Sequence, residues 1–263
     1  MGEVRETRLK VGIGFLEREI AVLARPGGSP GLFWLGGYRS DMSGSKAKAI
    51  DRYATAMGLA CTRFDYSGHG RSGGEFDLGT ISRWLDEARA VFATTTGPQI
   101  VIGSSMGGWL ALLLARAERL VAAKSRIAGM ILIAPAVDMT KTLMWDNMTK
   151  AQRDQLVTKG VFERPPPRPG DDVLPITKRL IDDGEIHLFG SRLIETGCPV
   201  HILQGMEDEE VPYRHATALL ERLASDDVVL TLVKDGDHRL SRPEDLERLQ
   251  AALTAMIGEI GAG

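Results

Sequence analysis

The chemistry of this chain starts at Ser105, in the string Gly103-Ser104-Ser105-Met106-Gly107. The apolar run Ile100-Val101-Ile102 precedes it, and Gly108-Trp109-Leu110-Ala111-Leu112-Leu113-Leu114-Ala115 follows with helical character. Strand, sharp turn and helix with a serine at the bend make a nucleophile elbow. The turn strains the serine backbone and projects its hydroxyl, while glycines two positions to either side let strand and helix approach. A hydroxyl alone is a weak nucleophile, so a base must take its proton and an acid must orient that base.

In this architecture the acid comes next along the chain and the histidine last. Pro199-Val200-His201-Ile202-Leu203 reads as a buried strand, followed by the polar loop Gln204-Gly205-Met206-Glu207-Asp208-Glu209-Glu210-Val211-Pro212. Asp208 is the expected acid, a short carboxylate just past a strand end, with Glu207, Glu209 and Glu210 expected to face water. Val228-Val229-Leu230-Thr231-Leu232-Val233 ends at Lys234-Asp235-Gly236-Asp237-His238, which makes His238 the expected base. The competing positions are Ser104, one residue before the apex, and Asp138, after the strand that ends near Ala134. Among the other histidines, His201 lies inside an apolar strand and His215 opens a helix, both structural readings. His69 precedes the serine in a glycine-rich loop, against the required order, and His187 falls in an irregular stretch where it would line a pocket.

Acyl transfer also needs fixed donors for the oxyanion of the tetrahedral intermediate. The Met106 amide, directly after the nucleophile, is one. Gly31-Leu32-Phe33-Trp34-Leu35 followed by Gly36-Gly37-Tyr38-Arg39-Ser40 reads as an early strand and its loop, and supplies the Tyr38 amide as the second.

The elements that must carry these residues follow from the hydrophobic pattern. Strands are predicted over residues 9–14, 19–24, 31–35, 59–64, 98–103, 129–134, 199–204 and 228–233. Amphipathic helices are predicted over 44–57, 79–95, 106–117, 213–224 and 243–259. The alternation implies one α/β domain spanning residues 1–263, with a mostly parallel central sheet, helices on both faces and an antiparallel pair at its start. All the proposed site residues fall just past the C-terminal ends of strands, where open α/β sheets bind ligands. Residues 139–197 break the rhythm and read as a small cap insertion. Within it Glu163-Arg164-Pro165-Pro166-Pro167-Arg168-Pro169-Gly170 forbids a central helix and is a cap element or a spacer. Trp145 and Met148 are its expected acyl-pocket residues, with plain packing of a surface helix as the alternative.

Composition narrows the partners. A formal net charge of -3 with interspersed signs gives no basic stripe for nucleic acid or an anionic membrane. No run of about eighteen apolar residues spans a bilayer. The two cysteines, Cys61 and Cys198, have neither metal-ligand spacing nor a disulfide framework, which fits thiols used as packing in a reducing compartment. The first residues carry acids, lead to no long apolar stretch and place Glu6 where a myristoylation signal needs Ser or Thr. These features predict a cytoplasmic protein acting on a small-molecule or acylated-protein substrate, with no metal and no organic cofactor.

With these residues placed, the chain resembles the α/β-hydrolase superfamily over nearly its whole length, and within it the acyl-protein thioesterase and acyl-glucuronide esterase branch. The likeness rests on Leu35-Gly36-Gly37-Tyr38, Arg63-Phe64-Asp65-Tyr66-Ser67-Gly68, Gly103 to Trp109, Gly205-Met206-Glu207-Asp208 with Val211-Pro212, and Asp237-His238-Arg239. It implies Ser105 as nucleophile, Asp208 as acid and His238 as base. Gly36 departs from the proline common in that loop, and the lack of a mitochondrial leader suggests a bacterial or cytosolic form. The expected activity is hydrolysis of carboxylic esters or thioesters through an acyl-enzyme. The alternatives are a ligand-binding pseudoenzyme on the same scaffold and a lyase or carbon-carbon hydrolase using the same triad.

Overall fold

A computed structural model of the chain describes residues 3–121, 125–165, 173–223 and 227–262. Its strands are β1 (Arg5–Val11), β2 (Arg18–Arg25), β3 (Gly28–Leu35), β4 (Leu59–Phe64), β5 (Gln99–Ser104), β6 (Ile127–Ile133), β7 (Val161–Arg164), β8 (Leu174–Thr177), β9 (Val200–Gly205) and β10 (Val228–Val233). Its helices are α1 (Ser45–Met57), α2 (Ile81–Ala93), α3 (Met106–Val121), α4 (Lys150–Lys159), α5 (Lys178–Glu185), α6 (Tyr213–Arg222) and α7 (Pro243–Ala262). Eight strands form one sheet in the order β1-β2-β4-β3-β5-β6-β9-β10. The β1/β2 and β2/β4 pairs are antiparallel and the others parallel.

The central strands read as unbroken apolar runs because both of their faces are covered. Phe33, Leu35, Val101, Met130 and Leu132 point to one face, against Trp84 of α2 and Trp109 and Leu110 of α3. Their neighbours Leu32, Trp34, Ile100, Ile102, Ile131 and Ile133 point to the other, against Ile50 of α1 and Leu249, Leu253 and Met256 of α7. The alternation is the two-residue repeat of a strand. Trp84 and Trp109 are fully buried, and emptying the space of one such ring costs about 3–5 kcal/mol.

Local signals set the helix ends. The Thr80 side chain accepts from the Arg83 amide at the start of α2, and Gly58 takes the left-handed conformation that stops α1. The first strand begins and ends earlier than its apolar residues imply. Gly12 and Gly14 both have positive φ and turn the chain, leaving Ile13 and Phe15 exposed beyond β1.

Segment 139–197 runs between β6 and β9, and its described strands β7 and β8 pair antiparallel in a small sheet of their own. A π-helical turn over Thr140–Trp145 precedes α4, and α5 follows the β7/β8 pair. Residues 166–170 of the proline-rich stretch lie outside the described residues. Among the described residues no helix is long and apolar enough to cross a membrane.

Candidate active site

The parallel strands β3, β5, β9 and β10 end along one edge of the sheet, and the loops that leave them converge there. At the end of β5 the chain bends at Ser105, whose φ of 54° lies in the left-handed region. The bend is held on both sides: the Ser105 amide donates to Ile133 O at 2.8 Å, and Ser105 O accepts from the Gly108 and Ala136 amides at 2.9 and 3.1 Å. Both elbow glycines are required by close approach. A Cβ on Gly103 would lie 2.3 Å from Gly107 O, and one on Gly107 would lie 2.1 Å from Leu35 O. Both obstacles are backbone atoms that cannot step aside. Gly107→Ala is therefore expected to lower stability by about 3 kcal/mol or more, read as a fall in thermal unfolding midpoint. A variant as stable as the parent would show that α3 and β3 have room between them.

Three side chains from three loops meet at this bend. His238 Nε2 lies 3.1 Å from Ser105 Oγ, and His238 Nδ1 lies 2.8 Å from Asp208 Oδ2. Asp208 is buried, and each of its oxygens has partners besides the histidine. Oδ1 accepts from the Glu210 and Val211 amides at 2.9 and 2.8 Å, and Oδ2 accepts from Gln204 Nε2 at 3.1 Å. The carboxylate so fixed can only accept from His238 Nδ1, and the tautomer that carries its proton there offers Nε2 to the serine hydroxyl as an acceptor. Glu207 and Glu209 face solvent, as expected, while Glu210 reaches the cavity wall. Gln204 carries no signal in the sequence, where it stands at the junction of an apolar strand and a polar loop. It is fully buried and binds Gly205 O, Val211 O and Asp208 together. The His238 loop is tied down as well: Asp237 Oδ1 accepts from the Arg239 and Leu240 amides at 3.0 Å, and the Lys46 ammonium donates to Arg239 O.

The competing residues are occupied elsewhere. Asp138 accepts from the Phe189 and Gly190 amides at 2.8 and 3.0 Å. His201 pairs with Glu259 at 3.0 Å. His187 contacts Ser82 Oγ at 2.7 Å and is not among the residues that line the cavity above Ser105.

The loop after β3 brings Gly37 so close to the elbow that a Cβ there would sit 3.4 Å from Ser105 Cβ. The Tyr38 and Met106 amides enter none of the backbone hydrogen bonds that close the loops and turns around them, among the described residues. The Tyr38 ring packs edge-on against Phe76 and Trp84, and its hydroxyl donates to Pro175 O. Burial pushes this phenol well above its ordinary pKa, so it stays protonated and keeps donating.

Above the serine lies a cavity of about 520 Å³. Met139, Leu143, Met144, Leu174 and Ile176 form an apolar wall drawn from segment 139–197, while Arg39, Asp41, Lys46, Arg164 and Arg239 bring charge to the rest. Trp145 and Met148 do not line it, and this corrects the sequence-based expectation. Met148 packs with Leu156, Ile176 and Ile181 in a separate small core, and Trp145 lies against that core beneath the Arg153 guanidinium. The cause is the π-helical turn, whose bond from the Asp146 amide to Lys141 O spans five residues. With that wider repeat Met139, Leu143 and Met144 share the cavity side and Trp145 is carried past it.

Residues 21–249 match the family described as "Alpha/beta hydrolase family". The chain belongs to that family. Among curated relatives of this hydrolase, human "Palmitoyl-protein thioesterase ABHD10, mitochondrial" is 32% identical over 258 residues, 96% of this chain and 82% of the relative. Among solved structures, a putative hydrolase from Agrobacterium vitis S4 is 46% identical with a TM-score of 0.93, covering 97% of this chain and 99% of that one. Mouse alpha/beta hydrolase domain-containing protein 10 is 30% identical with a TM-score of 0.85, covering 97% and 99% of the two chains. The eight-stranded sheet of this hydrolase and its nearly full-length likeness to both structures agree with the fold class read from the sequence.

Proposed function

We propose that this hydrolase cleaves carboxylic esters or thioesters through an acyl-enzyme on Ser105. The observation that carries the reading is the continuous relay of 3.1 and 2.8 Å from Ser105 Oγ through His238 to Asp208 beneath a cavity with an apolar wall. His238 Nε2 takes the hydroxyl proton as Oγ attacks the carbonyl carbon. Asp208 holds the tautomer and stabilises the imidazolium. The amides of Met106 and Tyr38 receive the oxyanion. The tetrahedral intermediate then collapses, His238 returns the proton to the departing alcohol or thiol, and water resolves the acyl-enzyme by the same route.

Two features support an acylated substrate of some length. The relatives named palmitoyl-protein thioesterase are similar over nearly the whole chain, and the apolar wall offers a place for an acyl chain beside the serine. Segment 139–197 acts in this reading as the cap that builds that wall. The proposed compartment is the cytoplasm, supported by the burial of both cysteines as packing groups, although the mammalian relatives are named as mitochondrial. Turnover of a panel of short and long acyl esters, thioesters and acyl glucuronides, run beside labelling by a serine-directed phosphonate, tests the reaction. A protein that binds these compounds but is neither labelled nor active would be a binding scaffold instead.

The cap assignment has its own test. Leu143→Ala and Met144→Ala widen the apolar wall without touching the relay. Each is expected to shift the ratio of kcat/KM for long against short acyl chains by about tenfold, the worth of one or two methylenes in a fitted pocket. Cleavage of a small activated ester should persist. An unchanged chain-length profile in folded variants would remove this wall from the acyl site.

A further inference from the structure

The loop that carries Tyr38 is held by a histidine for which the proposed reaction has no use. His69 is buried, with 4% of its surface exposed, in the loop after β4. The Arg39 amide donates to His69 Nε2 at 3.1 Å, and His69 Nδ1 lies 3.1 Å from Ser67 O. A backbone N–H only donates and a carbonyl only accepts, so these two partners fix the tautomer: Nε2 is bare and Nδ1 carries the proton. Burial, assisted by the nearby Arg39 charge and opposed by the Ser67 carbonyl, pushes the imidazole pKa down to about 4. The ring is therefore neutral in neutral solution and its acceptor stays open.

The ring is also fixed in place. Tyr66, Phe76 and Trp84 surround it with centroids 5.7, 5.0 and 5.3 Å away. Its anchor is itself anchored. Ser67 O also accepts from Trp84 Nε1 at 3.2 Å, and the Ser67 amide donates at 2.8 Å to Glu87, a buried carboxylate paired with Arg18. At the other end of this chain of contacts Arg39 has a φ of 55°, a conformation that a non-glycine residue keeps only where its surroundings impose it. The residue before it is Tyr38, whose amide is the proposed oxyanion donor.

We infer that His69 is a positioning residue for the oxyanion site: its bare Nε2 captures the Arg39 amide, holds the left-handed turn, and so aims the Tyr38 N–H at the reacting carbonyl oxygen. This rests on the reading of Ser105 as the acylated nucleophile. A donor aimed at the oxyanion acts on the transition state more than on bound substrate. The expected effect of losing the acceptor is thus a fall in kcat with KM nearly unchanged.

The test compares His69→Phe, which keeps an aromatic ring among Tyr66, Phe76 and Trp84 but has no acceptor, with His69→Gln, whose amide oxygen can replace Nε2. With a small activated ester, His69→Phe should lose about 10- to 100-fold in kcat, part of the loss seen when an oxyanion donor is removed outright. Affinity for a trifluoromethyl ketone, which forms an oxyanion on the serine, should weaken in parallel, and His69→Gln should recover most of both losses. If His69→Phe does not fold, His69→Asn takes its place, since its amide can still donate to Ser67 O but is too short to reach Arg39. An acceptor-free variant with parental kcat and inhibitor affinity would overturn the inference. So would a Gln variant as impaired as the acceptor-free one while melting at the parental temperature. Phosphonate labelling of the parent protein separates the two readings: an unlabelled parent removes the acyl-enzyme itself, whereas a labelled parent with an indifferent His69 removes the positioning role alone.

Discussion

Ser105→Ala is expected to lower ester or thioester turnover by about 10⁴-fold or more and to abolish labelling by a serine-directed phosphonate. The size follows from the relay. Among the described residues no other hydroxyl bonds His238 Nε2, which lies 3.1 Å from Ser105 Oγ, so the covalent route closes and only the proposed oxyanion donors and the cavity remain to act on attacking water. Ser104 is the natural control. It lies on the wall of the same cavity, but it is the last residue of β5 and pairs in register with Ile133, which directs its side chain as part of the sheet. Ser104→Ala should keep both labelling and most of the activity. Mass spectrometry of the labelled protein decides the matter: adduct on Ser104, or adduct persisting in Ser105→Ala, would put the elbow one residue out of register.

The part of the site that was legible in the sequence is the part written in local patterns. A strand, a glycine-flanked serine and a helix identify an elbow because the clash that excludes side chains at Gly103 and Gly107 is set by residues next to the bend or on the strand beside it. Asp208 and His238 could be ordered along the chain because each follows an apolar run by a few residues, and parallel strands deliver such loops to one edge. Gln204, Glu87 and His69 were not legible in this way. His69 precedes the serine, a sound argument against a triad base that says nothing of a contact with Arg39, thirty positions upstream. Glu87 reads as one charge on an amphipathic helix, and its burial against Arg18 depends on the β2 strand that α2 happens to cover. Segment 139–197 was legible only as an interruption. Helix α4 buries a single residue, Leu156, so no apolar stripe marks it, and β7 and β8 have four residues each. Trp145 and Met148 read as pocket residues because they are apolar groups at the front of that segment, and the π-helical turn changes which side chains face the serine.

Asp208→Asn should cost about 10³- to 10⁴-fold in turnover while leaving the protein folded, whereas Asp138→Asn should cost far less turnover and act mainly on stability. The argument for Asp208 lies in how its two oxygens are used. Oδ1 accepts two backbone amides, from Glu210 and Val211, so the carbonyl oxygen of an asparagine must stay on that side. The new NH2 group then takes the place of Oδ2, facing His238 Nδ1 and the Gln204 Nε2 donor. Two donors cannot share a hydrogen bond, so His238 must give up its Nδ1 proton and carry it on Nε2. That atom then points a hydrogen at Ser105 Oγ in place of a lone pair, and general-base catalysis stops. At Asp138 the carboxylate is divided between the Phe189 and Gly190 amides, with Arg222 3.8 Å away, and no contact leads to His238. An asparagine there can satisfy one of the two amides and tolerates the residue's φ of 57°. The loss is one buried hydrogen bond and a charge pair, worth about 1–3 kcal/mol of stability. Measuring kcat/KM and thermal unfolding on both variants separates the roles. A catalytic loss concentrated in Asp138→Asn would transfer the acid to that position and leave the 2.8 Å contact between Asp208 and His238 without a catalytic part.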